Sequence, residues 1–266
     1  MILIGAYILA VVAYLAGGFL QSSTLMGKPL ASRQQIMLLG LAGVLFQAVT
    51  LSHSLFTLGG LRFDFFITGS LISCLIVALA LASALSRPLE NLFVFIFPLA
   101  ATTILLSGLI PAQGRSHEYN PGVDLHIASS IIAYAFFTLA LVQALLLYRQ
   151  NWQLKHHKPA SLTKVLPPLQ TMEKLLFELI CVGLVFLTIG LISGFIFVQN
   201  LFAQHLIHKT ILSLLAWLIF ATLVIGHYRF GWRSRTAVRW TIGGFVVLML
   251  GFFGTKLVLE YIIGRT

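Results

Sequence analysis

Charge is what this sequence has least of. Only 9% of its 266 residues are Asp, Glu, Lys or Arg, and seven of those are acidic. A soluble domain keeps about a quarter of its residues charged, so that class is excluded. Cys74 and Cys181 are the only cysteines, each inside an apolar run, with no Cys-x-x-Cys and no Cys-x-x-Cys-His. Thioredoxin-like exchange and covalent haem capture by the chain's own thiols are therefore excluded, and both cysteines read as buried free thiols. Also missing are a His-Glu-x-x-His run, a Ser-His-Asp arrangement and a phosphate-cradling glycine loop, so a non-catalytic protein is expected. No acidic residue lies deep in an apolar run, which leaves a proton relay without its acids.

What is abundant is apolar length. Hydrophobic residues make up 59% of the chain, and the mean hydropathy is +0.98. The apolar runs are Ile2 to Leu20, Gln35 to Phe56, Ile67 to Leu85, Leu92 to Ile110, Leu125 to Tyr148, Leu175 to Val198, Thr210 to Tyr228 and Trp240 to Ile263. Each has about the length that crosses the hydrocarbon of a bilayer as a helix. Strand-like alternation is absent, and backbone groups in lipid must pair within their own segment. The expected fold is all-α: a polytopic membrane helix bundle of about eight transmembrane helices, forming a single integral membrane domain over residues 1–266.

The net charge of +10 does not point to nucleic acid, because the basic residues are spread through short loops. With both termini on the outer side, the inner loops hold Lys28, Arg33, Arg87, Arg149, Lys155, Lys158, Lys164, Lys174, Arg229, Arg233, Arg235 and Arg239. The outer side keeps Arg62, Arg115, Lys209, Lys256 and Arg265. That asymmetry is the positive-inside pattern, and the expected partner is the lipid bilayer. The first run has no basic residue before it and Lys28 and Arg33 after it, the reverse of a secretory signal, so it reads as a retained span. The loop from Arg149 to Lys174 is basic and amphipathic and is expected to lie along the anionic inner leaflet.

Small residues mark helix contacts. Ser70, Cys74, Ala78 and Ala82 recur every fourth residue, and Gly183, Gly190 and Gly194 share a face. Both stripes let neighbouring backbones approach closely. Pro98, in the fourth run, is expected to kink it.

The stretch from Asp124 to Tyr148 carries a different stripe. His126, Ser130, Ala133 and Phe137 fall on one face, flanked by Ser129 and Tyr134, with His126 expected in the first turn. A small, polar face on an apolar helix looks at protein or a ligand. His53 closes the second run on the outer side, His205 and His208 lie in the outer connection 199–209, and His227 ends the seventh run on the inner side. Imidazole is the usual axial ligand of haem iron, and two from different helices can hold a haem. Interface histidines also serve as hydrogen-bonding caps. His156 and His157, adjacent on a basic loop, converge poorly with further metal ligands. Lys174 with Glu178 and Lys256 with Glu260 read as local ion pairs.

The fifth run, the Leu166-Pro167-Pro168-Leu169 loop, the Thr188-Ile189-Gly190-Leu191-Ile192-Ser193-Gly194 segment, the Ile225-Gly226-His227-Tyr228-Arg229 end and the final pair of runs together resemble the cytochrome c assembly family of haem-handling membrane proteins. Within it they resemble the HemX-like and YpjD-like inner membrane branch, and more distantly the CcsA and CcmC proteins. The resemblance implies a multi-pass protein of the bacterial inner membrane that binds haem b. It implies that His126 matches an outward-facing haem-ligand histidine and that His227 and His53 match or neighbour membrane histidines. His126 with His53, or His126 with His208, are the outer pairs open to one iron. Residues 198–209 hold no tryptophan where the CcsA and CcmC proteins present haem, and no histidine follows the eighth run. The expected role is therefore haem binding or handling, not presentation to an apocytochrome. The alternative is a regulatory or assembly subunit that binds another membrane protein without haem, and a small-molecule transporter stands behind both.

Overall fold

The computed structural model describes residues 2–57, 60–110, 116–117, 120–156, 166–197 and 204–254. Among them run eight α-helices: α1 (Ile2–Leu25), α2 (Arg33–Leu55), α3 (Phe65–Ala84), α4 (Phe93–Leu109), α5 (Pro121–Lys155), α6 (Leu169–Phe197), α7 (Gln204–Phe230) and α8 (Ser234–Met249). A 3₁₀ turn, Glu90–Leu92, leads into α4, and α8 continues as a π turn, Leu250–Gly254. Eight spans long and apolar enough to cross a membrane result, so the all-α polytopic class holds. The only strands described are short and antiparallel: β1 (Phe56–Thr57), β2 (Gly60–Arg62) and β3 (Ser116–His117), with Phe56 opposite Leu61 and Leu61 opposite His117.

The helices are inside-out relative to a soluble bundle. On α1, Ala6, Ala10, Ala13 and Tyr14 are buried while Ile4, Ile8, Val12, Leu15 and Phe19 are exposed. Small residues inward and large apolar residues outward is the arrangement of a helix whose surroundings are lipid.

Local sequence sets the helix starts. Ser32 and Gln35 form a capping box at α2, and the Asp64 carboxylate accepts from the Ile67 N–H at 2.7 Å to open α3. At α5 the Asn120 side chain accepts from the N–H groups of Gly122 and Val123, Pro121 takes the first helical position, and Asp124 accepts from the Asn120 N–H. These contacts begin α5 four residues before the expected Leu125 and correct the position of His126, which stands in the second turn.

Two further expectations are corrected. Arg149–Lys155 is not loop but the end of α5, because no glycine or proline interrupts it and the side chains of Gln150 and Gln153 are buried. Likewise α6 already begins at Leu169, which leaves 157–165, outside the described residues, as the heart of the expected basic loop. His157 and the Lys256 and Glu260 pair also lie outside the described residues.

The described residues gather in two compact units: Met1–Glu118 with Gln153–Pro167, and Tyr119–Trp152 with Pro168–Thr266. In the first, α1 packs on α2 and α4, and α3 closes the ring on the same two helices. Phe97 of α4 is fully buried, stacked on Phe93 at 4.8 Å and wedged against Gly17 of α1 and Gly40 of α2. Pro98, inside α4, sets its ring against Gly18. The expected contact stripe on α3 is corrected: Ala82 is exposed, and the buried line runs through Ser70, Ser73, Val77, Ala80 and Ala84. A four-residue repeat advances about 40° past a full turn at each step and walks off the face.

A buried polar chain ties this unit together. Tyr14 Oη donates to Gln47 Oε1 at 2.7 Å; Gln47 Nε2 donates to the Ser70 carbonyl and to the hydroxyls of Ser70 and Ser73 at 3.0–3.1 Å; Ser73 meets Thr103 at 2.6 Å. Interhelical bonds in membrane proteins average about 0.6 kcal/mol each. Gln47→Leu is accordingly expected to cost about 2 kcal/mol, read as a lowered midpoint in denaturant titration of the detergent-solubilised protein. No change in midpoint would show that the chain contributes nothing to stability.

In the second unit α5 is the central helix. Phe137, fully buried, stacks on Phe220 of α7 at 3.9 Å, and Tyr134 Oη donates to the Leu248 carbonyl of α8 at 2.6 Å. Gln143 Nε2 donates to the Met172 carbonyl of α6 at 3.0 Å, and Trp217 Nε1 of α7 donates to Thr188 Oγ1 of α6 at 2.8 Å.

Candidate functional site

The two stripes of the second unit meet face to face. A Cβ on Gly183 would touch Phe137, one on Gly190 would touch the hydroxyls of Ser130 and Ser129, and one on Gly194 would lie 2.9 Å from His126 Nδ1. The glycines of α6 are thus the surface on which the α5 stripe rests. That approach brings a backbone acceptor to the histidine: His126 Nδ1 lies 2.6 Å from the Gly190 carbonyl oxygen. A carbonyl only accepts, so Nδ1 carries the proton, and in the neutral ring Nε2 keeps its lone pair. Among the described residues Nε2 has no hydrogen-bond partner. The Ser193 hydroxyl donates to the same carbonyl at 3.1 Å.

The same end of this unit receives the start of α7 and the end of α8. Lys209 Nζ sits 4.8 Å from the centre of the Phe252 ring, and Phe252 and Phe253 pack around Tyr134 at 5.6 and 6.0 Å. His205 and His208 are on α7, not in a connection as expected, because the helix begins at Gln204 and nothing between there and Thr210 breaks it. His208 is exposed.

His227 lies at the opposite end of the unit, on the last turn of α7. Its ring stacks on Phe177 at 3.5 Å, and its Nδ1 donates to the Trp232 carbonyl at 2.9 Å. With Glu173, Glu178 and Arg233 it lines a cleft of about 480 Å³. Nineteen residues of helix separate His208 from His227, about 28 Å at 1.5 Å per residue, so no single iron takes both. His53 belongs to the first unit, exposed on the last turn of α2. The described residues contain no group of three or more His, Cys, Asp or Glu able to cage a bare metal ion. A macrocycle that brings four ligands of its own needs only one or two imidazoles.

Gly190 and Gly194, expected from their spacing to be helix contacts, are the neighbours of the His126 face. Their spacing marks a shared face, but the side chain that each meets depends on how α5 and α6 pack.

Eight apolar spans joined by glycine-seated interhelical contacts define a polytopic membrane helix bundle. The family model described as "Cytochrome C assembly protein" matches residues 36–263, and the chain belongs to that family. It is similar to the inner membrane protein YpjD of Escherichia coli strain K12, 33% identical over 73% of this chain and 74% of that one. A 28.8 kDa protein from the nifR3-like 5′ region of Azospirillum brasilense is 30% identical over the same shares, and Protein HemX of Brevibacillus brevis is 22% identical over 48% of each. With these relatives and its eight spans, the chain is a multi-pass inner membrane protein. No solved structure matches it significantly.

Proposed function

We propose that this chain binds haem b through His126 and handles it within the membrane during cytochrome c assembly. The observation that carries the reading is the 2.6 Å contact between His126 Nδ1 and the Gly190 carbonyl. Histidines that ligate a metal almost always donate their other ring N–H to a carbonyl, carboxylate or water, which fixes ring and tautomer. His126 meets that requirement with an acceptor from a neighbouring helix. The bound haem would supply an iron that takes imidazole as an axial ligand; His126 supplies the nitrogen. His208, near the start of α7, would supply the second imidazole, and His227, with its own backbone acceptor, would serve a separate group. His53 is the remaining imidazole that the family resemblance brings in as a ligand.

The test is the visible spectrum of the full-length protein, purified in detergent from haem-replete cells, oxidised and reduced, beside His126→Ala. A sharp reduced α-band, lost in the variant, is expected. The haem-to-protein ratio then reads one site against two. A featureless wild-type spectrum would overturn the haem reading in favour of a subunit that binds another membrane protein.

A further inference from the structure

A second cleft, of about 450 Å³, opens between α5 and α8, at the end of the second unit away from His126. From α5 it is lined by Leu145, Tyr148 and Trp152; from α8 by Arg235, Val238, Arg239 and Ile242. The spacings put each set on one helical face, and the chemistry is graded along it. Arg235 and Trp152 stand at the mouth; Ile242 and Leu145 lie seven residues further in along their helices, about 10 Å deeper.

The mouth is fixed. Asn151 Nδ2 of α5 donates to Ser234 Oγ at 2.7 Å, and the Ser234 N–H points to Glu173 Oε1 of α6 at 3.4 Å. Ser234 holds a φ of +45°, a conformation that a serine keeps only when its surroundings impose it. Glu173 is also the ion-pair partner of Arg233, at 3.9 Å. Arg235 and Arg239, both exposed, have no carboxylate partner among the described residues.

Two guanidinium groups in the first two turns of α8 stand at the positive end of the helix dipole, where cations are disfavoured and anions favoured. An orientation signal needs only basic residues in a loop. It does not need an apolar floor beneath them, a tryptophan and a tyrosine beside them, or pins that hold the helix ends together. We propose that this cleft binds an anionic phospholipid, with the phosphodiester on Arg235 and Arg239 and an acyl chain on Leu145, Val238 and Ile242. Guanidinium matches phosphate oxygens bidentately, Trp and Tyr favour the headgroup level, and basic pockets between spans take anionic headgroups.

The experiment is native mass spectrometry of the full-length protein released from detergent, titrated with phosphatidylglycerol or with phosphatidylcholine of identical acyl chains. Wild type is expected to retain phosphatidylglycerol with a preference of about ten-fold or more, the scale that two interfacial cations give an anionic lipid. Arg235→Gln with Arg239→Gln should bring the two lipids level, while Lys28→Gln with Arg229→Gln, equal in lost charge, should leave the preference intact. The Arg235→Lys, Arg239→Lys pair should keep a preference for the anionic lipid. Equal retention of both lipids by wild type, an undiminished preference in the glutamine pair, or loss of it in the lysine pair would overturn the proposal. So would displacement of the lipid by millimolar inorganic phosphate, which would assign the arginines to a soluble phosphate.

Discussion

With haem on His126 as proposed, Gly194→Ala is expected to weaken haem retention by about 10- to 100-fold, less than His126→Ala does, at little cost in stability. The new methyl would fall 2.9 Å from His126 Nδ1 and 3.0 Å from Cε1, closer than carbon atoms tolerate. The atoms it meets are the far end of a side chain with two rotatable bonds, so the ring swings away and the helices stay where they are. What the swing breaks is the 2.6 Å bond to the Gly190 carbonyl, and with it the tautomer and aim of the ring. Loss of such an outer partner weakens metal binding by about 10- to 100-fold. Gly190→Ala is the control. Its methyl would meet the Ser130 and Ser129 hydroxyls at 3.2 and 3.3 Å, which yield by a few tenths of an ångström, and the carbonyl that holds His126 remains. The measurement is haem content and reduced α-band per folded protein, with melting temperature alongside. Equal haem in both alanine variants and wild type would show that the Gly190 contact does not prepare the histidine.

Why the α5 stripe was legible and the α3 stripe was not follows from the angle per residue. His126, Ser130, Ala133 and Phe137 lie at steps of 4, 7 and 11, and Gly183, Gly190 and Gly194 at 7 and 11. At 100° per residue those steps return to within about 40° of the starting direction, so each set stays on one face. Ser70, Cys74, Ala78 and Ala82 drift by about 120° over their three steps, and Ala82 comes out exposed.

The eight spans were legible because apolar length is a local property. The meeting of His126 with Gly190 was not, since it joins residues 64 apart and depends on how far one helix has slid along the other. The start of α5 lay between the two cases: Asn120, Pro121 and Asp124 are a cap signal written in plain sequence, but the apolar run beginning at Leu125 drew the boundary four residues late. Charge misled in the same way at the other end of that helix. Arg149 and Lys155 look like loop residues, yet a helix emerging from lipid has no reason to stop at the interface until glycine or proline stops it.

The largest loss of stability is expected from Gly43→Val. A Cβ at this position of α2 would lie 2.5, 2.7 and 2.8 Å from three atoms of the Tyr14 ring. Here the ring has no freedom to move. Tyr14 is fully buried, its hydroxyl is bonded to Gln47, and its ring neighbours Phe97 at 5.8 Å. Phe97 is held in turn, since a Cβ on Gly17 or Gly40 would already touch its ring at 2.8 and 2.6 Å. Valine must therefore push α2 away from α1 or eject the tyrosine and orphan Gln47 in a core where water cannot replace the bond. Overpacking of this kind costs about 3 kcal/mol, about 10 °C of melting temperature in a chain of this size. Gly243→Ala, at a position where a Cβ meets nothing within 4 Å, should leave melting unchanged or slightly raised. The decisive variant is the double one, Gly43→Val with Tyr14→Leu. If the clash with the ring is the cause, the smaller side chain recovers part of what valine removed, and the two substitutions are non-additive. Strict additivity would place the damage elsewhere in α2 and refute the assignment of Gly43 as the seat of the Tyr14 ring.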